Sequence, residues 1–262
     1  AWIPARDRGL SFGIVGTGAM AATMMECLAG RRRVAVIAVA SADPARAREF
    51  AAQHGIPHAC RDLGELLART DVDAVYIATS TREHAAHGIA ALNAGKAVLC
   101  EKPFAMTVRQ GRLVAEAARL NERLFMEAQW TTALPVYREL LRLVRDASLG
   151  CPVVLHSEFG MGLDPASHPR LFEGEGAGVL LDFAVYPIVL AVQLLGQVRT
   201  VDAVLMRNAC GTDVHASLLL GHDGKPSLPP RASPRVKIGS VTRFHMPETG
   251  SRVVVGQGGG PR

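Results

Sequence analysis

Cysteine is scarce in this sequence and has no obvious partner within it. The five thiols, Cys27, Cys60, Cys100, Cys151 and Cys210, are odd in number and widely spaced, with no Cys-x-x-Cys pair. That argues against a disulfide framework or a cysteine zinc site and fits reduced thiols in a cytoplasmic protein. Long apolar runs are missing too. The most apolar stretch, Val179 to Leu195, is broken by Asp182, Tyr186, Pro187 and Gln193, so it reads as protein interior rather than a membrane span. The opening residues, Ala1 to Arg8, contain no apolar core, and no secretory signal is expected in them. Aromatics make up 5% and never interleave with basic residues in a stripe, which argues against a nucleic-acid surface. There is no internal repeat, and no low-complexity segment before residue 224.

What is present suits two packed domains. The 262 residues are 48% hydrophobic and 20% charged, the balance of a globular chain. The net charge of +5 comes from scattered arginines against 24 acids, and reads as a solvated surface. Up to residue 128, short apolar strands alternate with amphipathic helices, the pattern of a parallel sheet with helical crossovers. Strands are predicted at Phe12–Val15, Val34–Ala40, Ala74–Ala78, Ala97–Cys100 and Leu124–Ala128. Helices are predicted at Ala19–Leu28, Pro44–His54, Asp62–Ala68, His84–Asn93 and Val108–Leu120. From 129 to 262 a helix (Tyr137–Arg145), a strand (Pro152–Gly160), a helix (Ile188–Leu195) and two strands (Val198–Met206, Asp213–Leu220) predict an α+β domain.

The loop Gly16-Thr17-Gly18-Ala19-Met20-Ala21 has the form GxGxxA between a strand and a helix. Gly16 permits a tight turn, Gly18 lets the backbone approach a pyrophosphate, and Ala21 allows close helix–strand packing. The helix beginning at Ala19 and Met20 offers free N–H groups to phosphates. The predicted ligand is a nicotinamide dinucleotide. At the end of the second strand an acid would favour NAD, but the chain has Ser41-Ala42-Asp43-Pro44-Ala45-Arg46. Ser41 and Arg46 suit the 2′-phosphate of NADP, which is preferred, with NAD the alternative because of Asp43. The same Asp43 also reads as a helix cap. Glu101-Lys102-Pro103 follows directly on the fourth strand, where open parallel sheets bind ligands. His84 and His87 have helical i, i+3 spacing, but with no third ligand in view no metal is expected.

These segments resemble the glucose–fructose oxidoreductase/inositol dehydrogenase (Gfo/Idh/MocA) family. Its signature is similar to Ile77-Ala78-Thr79-Ser80-Thr81-Arg82-Glu83-His84 running on to Ala94-Gly95-Lys96-Ala97-Val98-Leu99-Cys100-Glu101-Lys102-Pro103. A second signature, with Asp four residues before His or Tyr, resembles Gly176 to Pro187, where Asp182 precedes Tyr186. Glu158-Phe159-Gly160, and Met126-Glu127-Ala128 with Trp130, are similar to the branch containing dimeric dihydrodiol dehydrogenase and NADP-dependent aldose dehydrogenases. The resemblance covers roughly residues 10 to 224.

The resemblance implies a Rossmann domain followed by a domain on an open, mostly antiparallel sheet. It implies hydride transfer between nicotinamide and an alcohol carbon of a sugar, polyol or cyclic diol. It adds Thr79, His84, Glu101, Lys102 and Trp130 to the cofactor-binding residues, and makes Lys102, Asp182 and Tyr186 the catalytic set. Tyrosine titrates at about 10, and a lysine ammonium beside it favours the phenolate a base needs. Taken structurally instead, Asp182 is a helix cap and Tyr186 a satisfied phenol. Pro187 places both in the first turn of the helix that follows.

Three departures stand out. Trp130-Thr131-Thr132-Ala133 replaces Trp-x-Arg-Phe, losing an arginine expected to hold cofactor or substrate, and Gly176-Ala177-Gly178 replaces three glycines. His222-Asp223-Gly224 signals a hairpin, yet the proline-rich Lys225 to Pro234 follows where a partner strand is due. The second sheet is therefore expected to lack strands and expose an edge. The homodimer that the resemblance implies is left open by this. The alternative to an enzyme is a catalytically inactive dinucleotide-binding or regulatory relative.

Overall fold

The computed structural model describes residues 9–146, 148, 150 and 152–222, and the backbone of 239–245. The opening residues 1–8, Cys151, and the turn and proline run of 223–234 lie outside the described residues. The chain divides into two compact units between Trp130 and Thr131.

The first unit is a six-stranded parallel sheet in the order β3-β2-β1-β4-β5-β6. Its strands are β1 (Leu10–Val15), β2 (Val34–Ala40), β3 (His58–Cys60), β4 (Ala74–Ile77), β5 (Ala97–Cys100) and β6 (Phe125–Glu127). The crossovers are α1 (Ala19–Leu28), α2 (Pro44–His54), α3 (Leu63–Ala68), α4 (Thr81–Asn93) and α5 (Val108–Leu120). Strand residues alternate between two cores, as their period of two requires. Val75 and Ile77 pack with Leu66, Leu92 and Val114 on one face. Ala74 and Tyr76 pack with Ala21, Phe50 and Ala51 on the other. Strands buried on both faces explain the unbroken apolar runs.

Helix limits follow local chemistry. Asp43 accepts the Ala45 N–H at 2.8 Å, Pro44 opens α2, and Gly55 closes it with φ of 67°. Asp62 and Thr107 cap α3 and α5 in the same way, through the N–H groups of Glu65 and Gln110. The sequence reading missed β3, whose three residues pair with Ala38–Ala40. It also started α4 three residues late, because Thr81-Arg82-Glu83 is a polar first turn with no apolar periodicity.

Lys96 is buried at 8% exposure, and its ammonium donates to the main-chain carbonyls of Arg69 and Val72. It ties the start of β5 to the loop before β4. Lys96→Met strips two buried carbonyls of their donor, and should lower stability by about 1–3 kcal/mol, read from a denaturant midpoint. An unmoved midpoint would mean that water replaces the amine without loss.

The second unit has a four-stranded sheet in the order β7-β10-β9-β8, formed by β7 (Val154–Gly160), β8 (Val198–Arg207), β9 (Asp213–His222) and β10 (Gly239–His245). β8–β9 and β9–β10 are antiparallel, and β10–β7 is parallel. The expectation that no partner strand follows β9 is thus corrected. A partner for β9 exists beyond the prolines, from Gly239 opposite Gly221 to His245 opposite His215.

Its helices are α6 (Pro135–Arg145), α7 (Pro169–Phe172), α8 (Val179–Asp182) and α9 (Val185–Leu195). Ala216, Leu218 and Leu220 of β9 pack on Phe172, Val179 and Phe183, while Val204, Met206 and Leu219 are exposed. Among the described residues, no helix is long and apolar enough to cross a membrane.

Candidate active site

The glycine loop leaves β1 under tight constraint. Gly16 is buried with φ of 102°, and its N–H donates to Ala40 O at 2.8 Å. A Cβ there would strike the carbonyl of Ala78 at the end of β4. This is the switch point of the sheet, where β1 and β4 send their connections to opposite sides. Gly18 precedes α1, whose first turn holds no acid and no side-chain cap, leaving its N–H groups directed at the crevice. Ala19 and Met20 are exposed in that turn, and Ala21 is fully buried. These features fit a dinucleotide pyrophosphate, with close backbone approach at Gly16 and Gly18 and donors beyond.

Around this loop the structure gathers other expected residues at the carboxyl ends of the parallel strands. Thr17 Oγ1 donates to Ser41 Oγ at 3.4 Å, joining the ends of β1 and β2. Arg46 is exposed in the first turn of α2. Thr79 follows β4, its hydroxyl 3.2 Å from His87 Nδ1. Burial pulls the His87 imidazole below its usual range. His84 is 2% exposed, with Nδ1 2.9 Å from Pro103 O and Nε2 3.1 Å from Thr79 O. Trp130, 60% exposed, begins a 3-10 turn, Trp130–Ala133. Among the described residues no group of three His, Cys, Asp or Glu is placed to hold a metal.

Beyond β5 the chain turns through Glu101, Lys102, Pro103 and Phe104. Glu101 accepts the Tyr76 O–H at 2.6 Å and the Lys102 N–H at 3.3 Å. Burial, then the Glu101 carboxylate, pushes the Tyr76 phenol far above its ordinary range, so it stays a donor. Lys102 is half-buried. The chain has only four lysines, Lys96, Lys102, Lys225 and Lys237, against 25 arginines, and both described ones are drawn inward. The sequence reading assigned no role to Tyr76 or Glu127. Glu127 lies opposite Cys100 on β6 and accepts the Phe104 N–H at 3.1 Å. The signal for it was present, an acid one residue before the end of an apolar strand.

In the second unit, Asp182 closes α8 and Tyr186 is the second residue of α9. They were expected in one first turn, but Phe183 and Ala184 separate two helices. The N-cap positions of the two helices are Gly178 and Ala184. Pro187, third in α9, loses no helical bond there. The Tyr186 ring lies 6.4 Å from Phe159, which meets Phe183 edge-on at 5.2 Å. Asp213 of β9 sets the approach to this segment: its carboxylate accepts the Leu180 N–H at 2.8 Å and fills the space beside Gly178, φ 109°. A side chain at Gly178 would collide with it, which accounts for the glycine.

Two family models match the chain. The oxidoreductase family with NAD-binding Rossmann fold (GFO/IDH/MocA) matches residues 10–129, and the GFO/IDH/MocA C-terminal domain matches residues 137–230. Trans-1,2-dihydrobenzene-1,2-diol dehydrogenase of Bos taurus is 34% identical over 219 residues, 82% of this chain and 65% of that protein. The scyllo-inositol 2-dehydrogenase (NADP(+)) IolU of Bacillus subtilis is 33% identical over 224 residues, 82% of this chain and 67% of its own length. The chain thus spans about two thirds of these relatives. Among solved structures, a 3-ketoreductase from Actinomadura kijaniata in complex with NADP and TDP-benzene superposes with a TM-score of 0.77 at 27% identity, over 92% of this chain and 71% of that one.

Proposed function

The chain belongs to the GFO/IDH/MocA oxidoreductase family, and on that premise we propose that it is an NADP-preferring oxidoreductase acting on an alcohol carbon of a sugar, polyol or cyclic diol. The observation that carries the reading is the switch point itself. A glycine loop that admits no Cβ at Gly16 faces the end of β4, and the Glu101–Lys102 turn stands at the end of the next strand, β5. The relatives named above as diol and inositol dehydrogenases support the substrate class.

On this reading Gly16, Thr17, Gly18, Ala19 and Met20 hold the pyrophosphate, and Trp130 and Thr79 lie along the rest of the cofactor. When bound, the nicotinamide supplies the hydride acceptor. Tyr186 takes the hydroxyl proton as its phenolate, so that the carbon gives up its hydride and becomes a carbonyl. Lys102 favours that phenolate by its positive charge, and Asp182 orients the lysine or the substrate hydroxyl. His84 and Glu101, expected beside the cofactor, serve first by holding the turn that carries Lys102.

Preference for NADP rests on the end of β2. Asp43 is engaged by the Ala45 N–H, while Ser41 and Arg46 remain as partners for a 2′-phosphate. Calorimetric titration should show NADPH binding more tightly than NADH. Arg46→Ala should weaken NADPH about 10-fold or more, the loss of one charged hydrogen bond, and leave NADH unchanged. Equal affinities would discard the NADP preference. Binding of neither would discard the enzyme reading.

A further inference from the structure

The turn 101–104 is held from three sides. From β4, Tyr76 O–H reaches the Glu101 carboxylate; from α4, His84 Nδ1 meets the Pro103 carbonyl; from β6, Glu127 accepts the Phe104 N–H. The Glu101 N–H also donates to Ile77 O, and the Ala128 N–H to Cys100 O at 2.7 Å. Lys102 stands between these anchors with its neighbours on both sides fixed. A lone lysine on a loop would sample many rotamers, and ordering it carries an entropic cost. Here the fold meets the main-chain part of that cost.

We propose that Glu127 is a positioning residue for Lys102: from the end of β6 its carboxylate fixes the main chain of the 101–104 turn, and with it the place from which the lysine acts. The inference rests on the catalytic part given above to Lys102. Glu127 is a carboxylate set among other ionisable groups. Burial, and then the nearby Glu101, raises its carboxyl above the ordinary range, while the Phe104 N–H, His84 and Lys102 draw it back. Burial and these same two carboxylates push the Cys100 thiol up, so it stays neutral. Glu127 therefore acts in two separable ways, through a hydrogen bond that an amide reproduces and through a charge that it does not.

The experiment compares Glu127→Gln and Glu127→Ala in the full chain, by kcat against pH, by NADPH affinity, and by carbon NMR of the reductively methylated lysines. With four lysines, the Lys102 signal is assigned by its absence from Lys102→Met. Glu127→Ala should lose about 10²-fold in kcat, the scale of a displacement near 1 Å, with NADPH affinity held and the Lys102 signal moved. Glu127→Gln should recover to within about tenfold of the parent, with a displaced pH profile, because its amide oxygen accepts the same N–H without the charge. Parent-like kcat and an unmoved Lys102 signal in the alanine variant would overturn the proposal, as would a glutamine variant no better than alanine. Should the alanine variant not fold, the pH profile and Lys102 signal of the glutamine variant decide, and parent-like values of both count against it. If the parent turned over no alcohol, the proposed reaction would fail, while the NMR signal would still judge the positioning.

Discussion

If the proposed mechanism holds, Lys102→Met should abolish turnover while NADPH still binds. Methionine keeps the length and much of the volume of lysine but removes the charge to which the proposed mechanism gives its part in proton transfer. On the proposed mechanism Tyr186→Phe would remove the base, while the ring stays against Phe159. Loss of a general base is worth about 10²–10⁴-fold, and here both variants lose the same proton path. Each should therefore fall by about 10³-fold or more, and the double variant should fall little further, as groups acting as one unit do. Lys102→Arg is the informative companion. It keeps the charge but replaces a compact ammonium by a planar fork, and in a chain that uses arginine almost everywhere else it tests why lysine stands here. Steady-state kinetics with a polyol and diol panel, beside nucleotide titration, reads all four. Turnover close to the parent in Lys102→Met or Tyr186→Phe would remove that residue from the mechanism.

Gly16→Ala should cost nearly all nucleotide affinity and part of the stability. Two effects coincide: φ of 102° disfavours any side chain, and the new Cβ meets the main-chain carbonyl of Ala78, the half-buried residue just after β4. Strain of this kind costs about 1–3 kcal/mol. Displacement of the loop would also remove the backbone approach on which the pyrophosphate depends, so affinity should fall by about 100-fold. Gly30→Ala is the control. Gly30 also has positive φ, 74°, but a Cβ there meets nothing within 4 Å. It should lose a little stability and bind nucleotide like the parent. Equal loss of affinity in both would mean that general destabilisation, not the loop, is responsible.

Much of this was legible because the deciding chemistry is local. Asp43-Pro44 at one end and Gly55 at the other bound α2 within its own segment. The strands β2 and β4 are apolar throughout because both their faces are covered. The GxGxxA loop and the Glu-Lys-Pro turn announce themselves by composition and by what flanks them.

What was missed depends on partners far along the chain. β3 is a strand only because β2 lies beside it, and α8 starts where Asp213, over thirty residues later, accepts the Leu180 N–H. Tyr76 and Glu101 are 25 residues apart, and Phe104 and Glu127 are 23 apart, so no short window contains either bond. The sequence places Asp182 and Tyr186 together in the entry turn of one helix. The break between α8 and α9 was hidden because Phe183 and Ala184 are as apolar as helix interior. The partner of β9 was overlooked since the prolines before it read as an ending.

That last strand imposes an order on biosynthesis. β10 lies between β7 and β9, so among the described residues β7 pairs with no strand until Gly239–His245 has left the ribosome. The β8–β9 hairpin can close as soon as it emerges. The strand made before it must wait while nearly eighty further residues are added, several seconds at about 5–20 residues per second. During that interval the apolar side of β7 and the helix α9 would be the parts of the nascent chain that a chaperone meets, with the nucleotide-binding unit already complete behind them.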